Sequence, residues 1–510
     1  MSGLSAFRLG LIAGAHLLNF AIVLLWPNLV CSYVATGLFA LVLILLFRLD
    51  SIAMWLLLPF VIAQVSVMVS LNVIEAGSYM VEMGEAGHPS TAAASFGLYS
   101  TVLLLTSVLT LRRLRRPAER EGGLAADPAA GAHVLFQWAM VCVALLSVGY
   151  LLLAGLRTGF PLLSGMDRFV YRRLYADILT VNILDLKITP PIVLGALAAF
   201  ADRSSIRRLG FAAFIALLGL SFLYGEKFFI ILVSVGSFIV PFIIRNPQST
   251  ARLLGRLAPL IAVAVGCVAA VTFLIYSDYG ARGTEATLAR LGDRVGGQGQ
   301  LWFVAVEHAS RWIHLDTDLL YQNLANLVAP NPQDYAFEHH LAVLHFIYHY
   351  SPPAMFRSFQ HNAGFVTATM GFEAYGLVMF GYVGLLVQMI LTGIFLGWLL
   401  GYLHRAIAQG AIFTVLLPAF LLTQTVKLLS QGTLYILLSL SVCKAYAAFL
   451  ILQFLVSAAS NGLDPLRRLR ALQAAREAAA KHVPSSPAPA NPQWPRPVLE
   501  YSAPRPTPPP

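Results

Sequence analysis

Apolar runs separated by short polar breaks recur along most of this chain. A hydrocarbon core takes about 20 apolar residues per spanning helix. Runs near that length lie at 8–26, 29–47, 52–74, 92–111, 134–154, 187–201, 209–223, 228–244, 258–276, 374–401, 411–428 and 432–456. The pattern predicts an all-α polytopic membrane protein with about twelve transmembrane helices. Internal Gly and Pro in such runs suit helices, whose backbone groups are satisfied locally, and the period-2 alternation of a barrel strand is missing. The weakest pair is 187–201 and 209–223, both short, the first carrying Pro190 and Pro191.

The runs divide the chain. Residues 1–111 hold the first four spans and 112–133 a polar, Ala/Gly-rich link. Spans five to nine fill 134–276, with a polar loop at 155–188, and 277–373 is the largest polar interruption. Residues 374–457 hold the last three spans, and 458–510 a basic amphipathic stretch and a Pro-rich tail expected to stay disordered or in polyproline II. Gly393, Gly397 and Gly401 repeat every four residues, a spacing that predicts close helix packing.

Charge sets the expected orientation. Arg48, Arg112 to Arg120, Arg203 to Arg208, Arg245 to Arg256 and Arg405 fall in alternate breaks, which the positive-inside tendency assigns to the cytoplasm with both termini. The first span is expected to be an uncleaved anchor, since no small-residue cleavage site precedes Pro27. The net charge of +10 then reflects topology, and no nucleic-acid partner is expected. All four cysteines lie in apolar spans, so no disulfide framework is legible.

Unusual polar residues collect on the outer side. The loop 155–188 breaks the charge rule with Arg168, Arg172 and Arg173 near Gly159–Arg168 (GFPLLSGMDR). Arginine offers a planar fork of donors to phosphate or carboxylate oxygens. Either an anionic ligand or salt bridges to Asp167, Asp177 and Asp185 would account for the cluster. In the larger segment, Arg290 and Arg294 precede Gly296–Trp302, where Gln298, Gln300 and Trp302 suit a phosphate-linked sugar, and Glu307 and His308 follow. Seven of the 12 histidines, including His345, His349 and His361, lie between Asp278 and Glu373. No HExxH occurs, and neither metal nor cofactor is expected. Glu226 and Lys227, Glu373, and Gln424, Lys427 and Gln431 mark outer span ends, where ionisable groups face a cavity or a partner.

Gly159–Arg168, Gly225–Phe228 (GEKF), Gly297–Trp302 (GQGQLW) with Arg294, and His361–Tyr375 (HNAGFVTATMGFEAY) occur in an order that resembles bacterial O-antigen and capsule repeat-unit polymerases, in a branch carrying an uncharacterised-domain label. The resemblance covers roughly residues 140–400. It implies an inner-membrane glycosyltransferase of GT-C-like build, its two outer loops forming the site. Such enzymes join oligosaccharide repeats carried on undecaprenyl diphosphate at the periplasmic face, and a chain-length regulator protein is a candidate partner. Arg168, Arg172, Arg290 and Arg294 would then stabilise the leaving diphosphate, and Glu307, His361 or Glu373 would serve as base. The rival expectations are an O-antigen ligase, which hands the finished glycan to lipid A, and a lipid-linked-sugar flippase. The flippase predicts polar residues through a central path, and only Lys444 lies near mid-span.

Overall fold

The computed structural model describes residues 3–80, 82–120, 130–166, 168–201, 203–226, 228–246, 266, 297–309, 311–328, 342–354, 357, 371–409, 412–432, 437, 439 and 442–451. The expected span 258–276, most of 432–456 and the tail 458–510 lie outside them, save for Gly266 and the apolar helix Val442–Ile451.

The described chain is helical apart from one two-stranded hairpin. α1 (Gly3–Leu25), α2 (Leu29–Leu49), α3 (Ser51–Leu56) and α4 (Leu58–Glu75) are followed by β1 (Tyr79–Met80) and β2 (Glu85–Ala86). The strands pair antiparallel, Tyr79 opposite Ala86 and Met80 opposite Glu85. α5 (Ala92–Arg120), α6 (Ala130–Thr158), the short α7 (Pro161–Ser164), α8 (Arg168–Leu174) and α9 (Ile178–Asp185), then α10 (Thr189–Phe200), α11 (Ser204–Leu223) and α12 (Phe228–Arg245) continue the bundle. α13 (Gln300–Ala309), α14 (Thr317–Val328) and α15 (Ala342–Tyr350) precede the long α16 (Gly371–Ala408) and α17 (Ile412–Gln431).

Seven helices among the described residues are long and apolar enough to cross a membrane, or eight if α9 and α10, bent by 60°, form one broken span. Prolines locate the breaks. The run expected at 52–74 divides at Leu57, because Pro59 has no N–H and suits only a first helical turn, where α4 begins. Pro190 and Pro191 occupy the first turn of α10, where the missing N–H costs nothing, so the doubtful run is helical after all.

α5 lies at the centre, packed against α1, α2, α4 and α16. The glycine stripe of α16 faces it: a Cβ on Gly393 would sit 2.8 Å from the Leu103 carbonyl oxygen, and one on Gly397 2.5 Å from that of Ser107. Close packing, as the spacing predicted, is its use. α6 lies outside, with Leu145, Leu146, Leu153 and Leu156 exposed, a composition that suits lipid. At one end of the bundle Asp50 accepts from the Ala53 amide at 3.0 Å, capping α3, and from Arg115 Nη1 at 3.0 Å, tying α3 to α5.

α16 contains a break. Gly381 has φ 67° and ψ −176°, a conformation open to glycine and strained for other residues. The amides freed there are taken by the incoming chain: Tyr382 N donates to Arg311 O at 2.9 Å and Val383 N to Trp312 O at 3.1 Å. In return Asp316 N donates to Met379 O at 2.9 Å. Segment 311–316 is thereby fastened to α16 by three backbone hydrogen bonds.

Candidate functional site

Two charged clusters stand at the same end of the bundle. α16 carries Tyr382 in its first half and α17 carries Lys427 near its last turn. The short connection at 409–411 makes these helices run opposite ways, so both residues lie toward the end opposite Asp50 and Arg115.

The first cluster is built by the loop after α6. Gly159 (φ 85°) and Gly165 (φ 64°) turn the chain on either side of α7, which begins at Pro161. α8 then sets Arg168 and Arg172 one turn apart, facing the α11–α12 turn, where Gly225 (φ 74°) lets Glu226 turn inward. The Glu226 carboxylate is buried and meets the Arg172 guanidinium in a close ion pair, Lys187 Nζ at 3.3 Å and Arg168 Nη1 at 3.8 Å. Arg172 Nη1 also reaches Asp185 Oδ1 at 3.2 Å, and Lys427 Nζ lies 3.8 Å from Asp185 Oδ2. Among the described residues four cations thus meet two carboxylates, a formal surplus of 4 − 2 = +2. The Glu226 side chain is 2% exposed and those of Arg168 and Arg172 15% and 19%, while Lys427, Asp185 and Lys187 stand nearer the surface at 36%, 33% and 29%. Phe160, Tyr171 and Tyr224 pack beneath it, and Tyr224 Oη donates to Leu151 O at 2.7 Å.

The salt bridges expected for this loop form in part, with Asp167 outside the described residues. Arg172 does bridge to Asp185, whereas Asp177 caps α9 through the Thr180 amide at 2.7 Å and accepts the Tyr150 hydroxyl. Arg173 is exposed. Lys187 was not singled out from the sequence. Its signal is a lysine at a helix break, between Asp185 and the Pro190-Pro191 pair.

The second cluster surrounds a pocket of about 340 Å3 bounded by Leu24, His88, Thr91, Glu307, Trp312 and Tyr382, among others. α13 buries Leu301 to Val306 and presents Glu307 and His308 at its end. Glu307 Oε2 lies 3.6 Å from His88 Nε2, and His308 Nε2 lies 3.7 Å from Glu85 Oε2, with the His308 ring stacked on Tyr350 at 5.2 Å. Burial pushes the Glu307 carboxyl above the ordinary carboxylate range, against the downward pull of His88 and His308. Behind the pocket wall, Glu75 accepts from Ser90 Oγ and from the Ala93 amide, each at 2.9 Å. His88 was missed in the sequence because it sits in the short loop 75–91, far along the chain from Glu307.

The glycine-rich stretch has a different use from the one expected. The Gly299 amide donates to Ser70 Oγ at 2.7 Å, and a Cβ there would lie 2.9 Å from that oxygen and 3.0 Å from Leu71 Cγ. Close approach to α4 is what the glycine provides. Trp302 is 1% exposed, edge-on to Phe96 and Tyr99, its Nε1 donating to Ala92 O at 2.8 Å. Gln300, also buried, donates to Glu82. Both are packing residues without a face for a sugar, while Gln298 is partly exposed.

Glu373 is likewise sealed in the bundle. It accepts from Gln64 Nε2 at 2.8 Å, and Gln64 accepts from Ser100 Oγ, a chain joining α4, α5 and α16. A base must reach its proton, so burial withdraws Glu373 from that role. His345 and His349 stand side by side, ring centroids 4.4 Å apart, as their spacing predicted. Lys227, Arg290, Arg294 and His361 lie outside the described residues.

An all-α polytopic membrane protein with a cationic and an acid–imidazole cluster at one end is the class that fold and site define. Residues 343–443, from α15 through α17 and beyond, match a family model described as a family of unknown function (DUF6418). No curated protein and no solved structure matches the chain.

Proposed function

We propose that this chain is a glycosyltransferase that polymerises oligosaccharide repeats carried on undecaprenyl diphosphate, at the periplasmic face of the bacterial inner membrane. In this reading it has twelve spans of GT-C-like build, with both termini cytoplasmic. The observation that carries the proposal is the surplus, among the described residues, of Arg168, Arg172, Lys187 and Lys427 over Glu226 and Asp185. A leaving diphosphate concentrates negative charge, and cations preorganised by the buried Glu226 carboxylate and by Asp185 stabilise that charge without reorganising.

The transfer balances as follows. A hydroxyl oxygen at the non-reducing end of the incoming repeat forms a bond to the anomeric carbon of the growing chain. The anomeric carbon–oxygen bond to the diphosphate breaks, its electron pair passing to the phosphate oxygen beside the cations. The hydroxyl proton passes to a base, for which Glu307, open to a pocket and held above the ordinary carboxylate range by burial, is the candidate. The developing charge on the sugar ring is oxocarbenium-like, as in glycosyl transfer generally.

Deleting the gene in the source bacterium and running surface glycan on a gel tests the reading. A ladder reduced to a single repeat on its acceptor is the expected result. A full polymer retained on its lipid carrier would make the protein a ligase, trapped single repeats inside the cell a flippase, and an unchanged ladder would overturn glycan assembly altogether.

A further inference from the structure

We propose that the pocket between His88, Glu307 and Trp312 binds one uncharged sugar ring of the incoming repeat, with Trp312 as the stacking face and Glu307 and His88 as hydroxyl partners. The inference rests on the glycan-transfer reading and adds the electrical character of the acceptor sugar.

Three features converge. Trp312 is 57% exposed and lines the pocket with part of its indole. Its ring is nonetheless held, 5.4 Å from Tyr382 and edge-on to Phe20 at 6.3 Å, and its carbonyl is fastened to α16 beside the Gly381 break. An aromatic face open among the described residues, over a partly apolar floor, matches a sugar ring, which offers C–H bonds on its faces and hydroxyls at its edges.

The polar groups suit those hydroxyls. His88 Nδ1 lies 3.3 Å from Pro89 O, an arrangement that places a proton on Nδ1 and turns Nε2 toward Glu307. The carboxylate oxygens and the free Nε2 accept from sugar hydroxyls, and Thr91 adds a hydroxyl on the same rim that can donate or accept. The volume, about 340 Å3, is at the lower end for small-molecule sites, which suits one ring better than two.

Charge completes the argument. Among the described residues the ionisable groups lining the pocket are Glu307 and His88, with no lysine or arginine. Glu75 stands behind Ser90, and Glu85 pairs with His308 on the same helix end as Glu307. Among the described lining residues a uronic acid or a phosphate-bearing sugar would meet the Glu307 carboxylate and no guanidinium, an arrangement that disfavours anions.

Saturation-transfer NMR on the full chain in nanodiscs tests this with glucose, galactose, N-acetylglucosamine and rhamnose, against glucuronate and galacturonate, at millimolar concentrations near pH 7. The expected result is transfer to at least one neutral sugar, at least tenfold weaker transfer to the uronates, and loss of the signal in Trp312→Ala. His88→Gln, at an exposed side chain whose removal leaves the fold intact, should weaken it severalfold. Transfer to the uronates equal to that of neutral sugars, or signals unchanged in both variants, would overturn the proposal, as would no transfer to any sugar. Undecaprenyl diphosphate binding to the same nanodiscs is measured separately. Lipid binding without sugar binding sinks this inference alone, and sugar binding without lipid binding sinks the transfer reading while leaving the pocket a sugar site.

Discussion

The two clusters at this end of the bundle use ionisable groups in opposite ways. Around Glu226 the carboxylate is buried and organises two mostly buried guanidinium groups, with the Lys187 and Lys427 ammonium groups nearer the surface. Around Glu307 the acid itself reaches the opening, with the His88 imidazole beside it and the His308 imidazole next along α13. The first arrangement is centred on two guanidinium groups, which stay charged, and suits a fixed anion such as diphosphate. The second can take or give a proton and suits a hydroxyl. A glycan transferase needs both functions, and the difference shows that position relative to the surface, more than residue type, divides them.

The largest effect should come from removing a guanidinium of the first cluster. Arg172→Ala loses the guanidinium shared by Glu226 and Asp185, and polymer formation should fall about 100- to 1000-fold, scored as repeat units joined per minute by purified protein. Arg172→Lys should recover only part of it, because one ammonium cannot bridge two carboxylates in the same fork. Full activity in Arg172→Ala would break the contrast at its cationic side.

At the second cluster Glu307→Gln should slow turnover by about 100-fold while leaving undecaprenyl diphosphate binding unchanged. Weakened lipid binding in that variant would mean that the two clusters are one site.

A smaller effect is expected in pH dependence. Glu307 must be ionised to accept a proton, so activity should fall as pH drops through its folded-state pKa, which burial sets above the ordinary carboxylate value. His88 pulls that pKa down, so His88→Gln should move the acid limb to higher pH. A limb that stays in place in His88→Gln, followed in the same turnover assay across pH 5 to 8, would remove Glu307 as its source.

The smallest effect separates packing from recognition. Trp302→Phe keeps the ring and loses the hydrogen bond to Ala92 O, so melting should report a loss of about 1 kcal/mol with KM unchanged. A raised KM would restore Trp302 to the substrate site.

Much of the fold was legible along the chain because a bilayer imposes a strong one-dimensional rule: apolar runs become helices wherever backbone groups must be satisfied locally. The glycine stripe of α16 obeyed the same logic. Arg168 and Arg172 were legible as an anomaly, basic residues in a loop assigned to the outer side. Lys187 and His88 were not, since each matters through a partner distant in sequence, Glu226 and Glu307 respectively.

The sequence by itself determined that the chain is a helical membrane protein, and it drew attention to an unusual concentration of charge, because both follow from local composition. Only the tertiary structure decided which polar residues meet an opening. Gln300, Trp302 and Glu373 carry the same chemical promise as Glu307 and Trp312, yet packing against α4, α5 and α16 encloses the first three and leaves the other two at a pocket. Burial is a property of neighbours brought from elsewhere in the chain, and no spacing within one segment encodes it.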